Sequence, residues 1–272
     1  MRLRRPVLGL EFESSSGQVG PMALNPTTDL DRFQANLDDS MDRYRRVFEA
    51  LDSSPDKTDL RKGIAVDAVF RLGAEWENFQ HRWQIAAISQ DPSKLIAKTK
   101  DAAQRKVDEV DEVARNLFGV TLSRTLSSNT LTREQIETLL DPRQRNVTFS
   151  NVGHWLKESN KYLSPDYLRR VQRLDTDVED SCVVDLLKAI RNAIAHGSQT
   201  ATTQMNEAVR ARIDNVGIDG AANAPLVRPS YRIRDIGTYL HGWPETVKRN
   251  AAETTRVALI HKRMRDISEE LR

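Results

Sequence analysis

Thr176-Asp177-Val178-Glu179-Asp180-Ser181-Cys182-Val183-Val184-Asp185-Leu186-Leu187-Lys188-Ala189-Ile190-Arg191-Asn192-Ala193-Ile194-Ala195-His196-Gly197 is the stretch whose reading decides the fold. Val183, Leu186, Leu187, Ile190 and Ile194 recur at spacings of three and four, which makes one apolar stripe of an amphipathic helix. Thr176 to Glu179 has the form of a capping box. Asp177, Glu179 and Asp180 crowd the first turn, where the helix dipole favours acids. Gly197 supplies the stop.

The same period recurs on both sides. Upstream, Val69, Leu72, Trp76, Phe79, Trp83 and Ala87 form a continuous stripe, which predicts a long helix over about 57–90. Asp52-Ser53-Ser54-Pro55-Asp56 separates it from a helix over 29–51 with Thr28 as cap. Asp91-Pro92-Ser93 ends it and starts a charged helix over 93–118, stopped at Gly119. Thr132 to Gln135 is a capping box for a short helix to Leu140, and Ser164-Pro165-Asp166 starts one to Arg173. Residues 141–163 read as mixed, with Trp155 a local anchor. Further on come a helix near 202–213, a loop marked by Gly217, Gly220, Pro225 and Pro229, a short strand over 231–236, and a last helix over 245–271. No alternation is long enough for a sheet. The expectation is an all-α antiparallel bundle with added N- and C-terminal segments. Residues 1–28 are an irregular lead-in, 29–215 the helical domain, and 216–272 a loop plus a C-terminal helix packing on the bundle.

Composition narrows the class. The 272 residues are 39% hydrophobic and 29% charged, and no apolar run approaches the ~18 residues of a membrane span. The basic start is interrupted by Glu11, Glu13 and serines, which argues against a secretory signal. A single cysteine, Cys182, excludes a disulfide framework and a cysteine-based zinc site and fits a reducing cytoplasm. Net charge is only +2, but the 41 basic residues are mostly arginine, the side chain that forks onto phosphate. A GC-rich genome produces the same bias. Arg143, Arg145, Lys157, Lys161, Arg169, Arg170 and Arg173 form one basic cluster, and Lys262, Arg263 and Arg265 a second. Either can guide RNA or be a solvated face.

Walker A, GxGxxG, HExxH and GxSxG signatures are all absent. His154 and Glu158, one turn apart, read as surface or structural residues. What remains is the end of the best helix. Asn192 and His196 share a face, with Arg191 about 100° round from Asn192. His196, in the last turn, sits where the dipole favours imidazolium, as proton transfer near neutral pH requires. Arg191 keeps its proton and suits charge on phosphate oxygens.

Arg191-Asn192-Ala193-Ile194-Ala195-His196 resembles the Arg-x4-6-His motif of the HEPN superfamily, with a polar residue after the arginine and a glycine after the histidine. Trp76-Glu77-Asn78-Phe79 is similar to the acidic-then-aromatic element of its RiboL-PSP-type branch. The resemblance covers about residues 57–215. Two other pairs, Arg256 with His261 and Arg234 with His241, are set aside as decoys. The resemblance implies a homodimer whose two motif helices face each other across a composite cleft. It also implies ribonuclease chemistry without metal or cofactor, leaving 2′,3′-cyclic phosphate and 5′-hydroxyl ends. His196 would transfer protons, Arg191 hold the scissile phosphate and Asn192 orient either. Lys188 is a supporting residue, and Arg169, Arg170 and Arg173 are candidates for RNA contact. Glu77 either pairs with Arg191 or is a solvated helix charge. Family roles include toxin–antitoxin and phage-defence effectors, with an antitoxin or regulatory protein as further partner. The competing reading is a non-catalytic module that dimerises and binds a nucleotide or protein.

Overall fold

The computed structural model describes residues 24–108, 131–141, 148–210, 226–228, 231–242 and 252–272. The described residues hold ten α-helices and one short 3-10 turn, and no strand. The helices are α1 (Pro26–Ala50), α2 (Lys57–Gln90), α3 (Ser93–Asp108), α4 (Arg133–Leu140) and α5 (Val152–Tyr162), then α6 (Pro165–Thr176), α7 (Val178–His196), α8 (Gln199–Val209), α9 (Ile236–His241) and α10 (Arg256–Glu269).

Local chemistry explains where several expected boundaries move. Helix α1 starts earlier than Thr28. Asn25 is the cap, its side-chain oxygen accepting the Thr27 N–H at 2.9 Å, and Pro26 takes the first turn, where a missing N–H costs nothing. Thr176 does not cap α7. It ends α6 and donates its hydroxyl to the Arg173 carbonyl, while Asp177 closes α6 and caps α7 by accepting the Asp180 N–H at 3.0 Å. The mixed segment before Leu163 contains a helix, α5, capped by Asn151. Helix α8 runs over 199–209 with Ser198 as cap, three residues before the expected start. In place of the expected strand, residues 231–235 form a non-helical segment leading into α9. Side chains meet its backbone: Asn206 accepts the Ile233 N–H at 2.7 Å and donates to the Ile233 carbonyl at 3.2 Å, and Arg210 donates to the Tyr231 carbonyl at 2.9 Å. The final helix starts at Arg256, capped by Thr255. Residues 1–23, Gly119, and the turn residues Gly217, Gly220, Pro225 and Pro229 lie outside the described residues.

Helix α2 is the axis of the fold. It contacts α1, α4, α7, α9 and α10. Its pairing with α1 is antiparallel: Arg61 donates to the Phe48 carbonyl at 2.8 Å, Asn36 to Glu75 at 3.0 Å, and Phe33 stacks on Phe79 at 4.6 Å between centroids. Trp155 sets its indole edge-on against Trp76 and Trp83. Helix α10 runs antiparallel to α1, through Gln34 to Glu269 and Tyr44 to Thr255, and adds Val257, Ile260, Met264 and Ile267 to the same core. No helix among the described residues is long and apolar enough to cross a membrane.

Candidate functional site

The site forms where α2 crosses α7. A Cβ at Gly73 would lie 2.7 Å from Cβ and 2.8 Å from Cγ of Arg191, so the arginine stem rests directly on the α2 backbone. Glycine inside a helix costs roughly 0.5–1 kcal/mol relative to alanine. Here it permits a close approach. One turn further, Glu77 Oε2 lies 3.2 Å from a terminal nitrogen of Arg191. The other terminal nitrogen donates to Asn192 Oδ1 at 3.1 Å, and the guanidinium carbon sits 6.0 Å from the Phe70 ring centroid. The Arg191 side chain remains 26% exposed, so some of its five donors still face solvent.

Lys188 lies one turn before Arg191 on α7 and is only 4% exposed. Its ammonium makes no hydrogen bond among the described residues. Burial lowers its pKa; the Glu77 and Asp185 carboxylates oppose that and Arg191 adds to it. Asp185 accepts the Val152 N–H at 3.0 Å, which ties α7 to the start of α5. Burial nonetheless raises its pKa against that bond and against Lys188. Four charged side chains thus share a partly buried joint in which Glu77 serves both cations.

His196 stands apart. It is the last residue of α7, exposed, with no hydrogen bond or ion pair among the described residues. Gly197 follows at φ 57°, the left-handed conformation that stops the helix. His196 is five positions beyond Arg191, about 7.5 Å along the axis and about 140° round it. No contact joins them within one chain. The structure therefore assembles Arg191, Asn192, Glu77 and Lys188 and leaves His196 on the open rim.

The three arginines of α6 line a cavity of about 420 Å³ with Asp166, Glu269, Glu270 and Arg272. Arg170 donates to the Leu271 and Arg272 carbonyls and lies over the Tyr167 ring, and Arg169 pairs with Asp166. Arg173 is exposed, with no side-chain partner among the described residues. Arg263 and Arg265 are spent on Asp180 and Asp38, which anchor α10, and Arg143 and Arg145 lie outside the described residues. His154 accepts the Ser150 N–H at 3.1 Å and lies 3.8 Å from Glu158, a local helix-start arrangement. The decoy His261 is a core residue against the Val257 carbonyl, and Arg256 is wedged against Tyr231 and Tyr239.

Gly73 and Asp185 are the members of this joint that sequence reading misses. Gly73 left a signal, a glycine in the middle of an otherwise apolar helical stripe. No known family model, curated protein or solved structure matches the chain.

Proposed function

We propose that the protein is a metal-independent endoribonuclease of HEPN type, acting as a cytoplasmic homodimer on RNA. The observation that carries this reading is the ion pair between Glu77 and Arg191. It joins the two sequence elements that resemble the family and leaves part of the guanidinium open to solvent.

In the proposed reaction the 2′-oxygen of a ribose attacks the adjacent phosphorus. The O2′–P bond forms and the P–O5′ bond breaks. The 2′-hydroxyl proton passes to a base, and the departing 5′-oxygen takes up a proton. Histidine is the side chain suited to either transfer near neutral pH, and His196 is assigned that role. Arg191, pre-aimed by Glu77 and by the Gly73 contact, stabilises charge on the non-bridging oxygens. Asn192 holds the guanidinium from the other side. Because His196 and Arg191 do not meet in one chain, the reading requires the second protomer to complete the cleft. An antitoxin or regulator would act by covering this rim.

One observation favours a second reading. Glu77, Lys188 and Arg191 also form what a helix–helix staple would form, and on that basis the bundle is a dimerising module that binds a nucleotide or protein. Incubating wild type, Arg191→Ala and His196→Ala with total RNA in EDTA separates the two. Cleavage by wild type alone, with cyclic phosphate ends, supports the nuclease. Equal inertness of three folded proteins supports the binding module.

A further inference from the structure

Helices α1 and α2 leave a groove of about 350 Å³ that runs into a second of about 150 Å³; the two share Ser40, Arg43 and Arg71. The antiparallel pairing that sets Asn36 on Glu75 sets Ser40, one turn further, opposite Arg71. Arg43 follows on the same face of α1. Both arginines are exposed, and neither makes an ion pair or side-chain hydrogen bond among the described residues. The smaller lobe is lined by the apolar side chains of Val47, Ile64 and Ala68, with Tyr44.

Ser40 also touches α10. Its Oγ is 3.4 Å from Nε2 of the buried His261, whose Nδ1 lies 3.0 Å from the Val257 carbonyl oxygen. A carbonyl only accepts, so Nδ1 carries the ring proton. In the neutral ring Nε2 is then a bare acceptor, and the Ser40 hydroxyl is its donor. Burial favours that neutral ring: it lowers the His261 pKa, and the Val257 bond opposes it more weakly. Nucleophile, base and orienting group therefore stand in the order that activates a serine, at a spacing typical of such pairs before substrate binds.

We propose that Ser40 and His261 form a hydrolytic dyad that cleaves small carboxylic esters in this groove. The site shares no residue with the Arg191 joint and lies beyond the ribonuclease reading. Ser40 Oγ attacks the ester carbon and its proton passes to His261 Nε2. The Oγ–C bond forms, and the carbonyl electron pair moves onto oxygen, where the Arg71 guanidinium receives the charge. That pair then returns, the bond to the alcohol oxygen breaks, and Nε2 gives the alcohol its proton. Water attacks the acyl-serine in the same way, releasing the carboxylic acid and restoring Ser40. The acyl chain occupies the apolar lobe. A backbone carbonyl carries no full charge to steady the imidazolium, as a buried aspartate would, so the dyad suits esters with good leaving groups rather than amides.

The full chain treated with a fluorophosphonate, and separately with p-nitrophenyl acetate and butyrate, tests this. Wild type should take a single label, mapped by mass spectrometry to Ser40, and release p-nitrophenolate in a burst followed by slower turnover. Ser40→Ala should abolish the label and bring hydrolysis down to the buffer rate. His261→Gln should slow both by about 10²-fold or more. Because His261 is a core residue, Arg71→Met supplies the independent check. Arg71 is exposed, so that variant should keep its helical circular dichroism, and kcat should fall about 10²-fold with KM little changed. A folded wild type that takes no label at Ser40 overturns the proposal, as does hydrolysis that survives Ser40→Ala or Arg71→Met.

Discussion

Helix α2 buries Gln80 and Gln84 one turn apart, and the two meet different partners. Toward its C-terminal end, Gln84 accepts from the Trp155 indole N–H at 3.0 Å and from the Ser159 hydroxyl at 3.0 Å. The Gln84 oxygen is fully used, although the indole N–H groups of Trp76 and Trp83, packed on Trp155, make no hydrogen bond among the described residues. Nearer the middle, Gln80 makes no side-chain hydrogen bond among the described residues, Lys188 is buried without one, and Glu77 is divided between two cations. A satisfied buried network fixes a unique packing; an incompletely satisfied one carries a free-energy cost that packing alone does not explain. Both contacts leave buried donors unpaired, but only the α2/α7 joint does so with charged groups, as a site positioned for a ligand would.

That contrast can be broken by mutation, starting at the Gln84 cluster. Trp155→Ala empties a fully buried site that also holds a hydrogen bond and should cost about 3–5 kcal/mol in urea unfolding. Gln84→Leu strands two buried donors at once and should cost about 2–4 kcal/mol. At the α2/α7 joint, Gly73→Ala drives a methyl into the Arg191 stem. It should cost about 1–3 kcal/mol and, on the nuclease reading, lower kcat more than it raises KM. The smallest effect belongs to Lys188→Met. Replacing a buried cation by an apolar side chain of similar length should change stability by less than about 1 kcal/mol, in either direction. If Lys188→Met destabilised as much as Gln84→Leu, the distinction between the two regions would disappear.

The pH dependence sharpens the same point. Burial holds the Lys188 pKa below its ordinary 10.5, so the unfolded chain binds this proton more tightly. Stability therefore rises with pH across the window from the lowered value up to 10.5, and the penalty is fully present below it. Lys188→Met removes that slope. Urea unfolding of both proteins between pH 7 and 10 should show wild type gaining on the variant as pH increases.

Much of this was legible in the residues. Apolar spacing gave α2 its bounds, and Gly197 and the Thr132 capping box stand where expected. Glu77 had two readings, and pairing with Arg191 is the one observed. The errors have a common origin. Thr176 and Asp177 are both good caps, and only the sharp junction of α6 with α7 selects Asp177. Residues 231–235 form no strand and Ile236 begins a helix, because the Asn206 and Arg210 side chains, not a neighbouring strand, meet the backbone of Ile233 and Tyr231.

Sequence alone determined that the chain is helical, where its buried stripes lie and that Arg191, Asn192 and His196 close the best of its helices, because helix period and capping act over a few residues. Tertiary structure alone decided that Gly73 seats Arg191, that Lys188 is buried between carboxylates and that His196 stays on the rim. Those facts depend on how closely two helices far apart in the chain approach, and close packing, not local pattern, sets that distance.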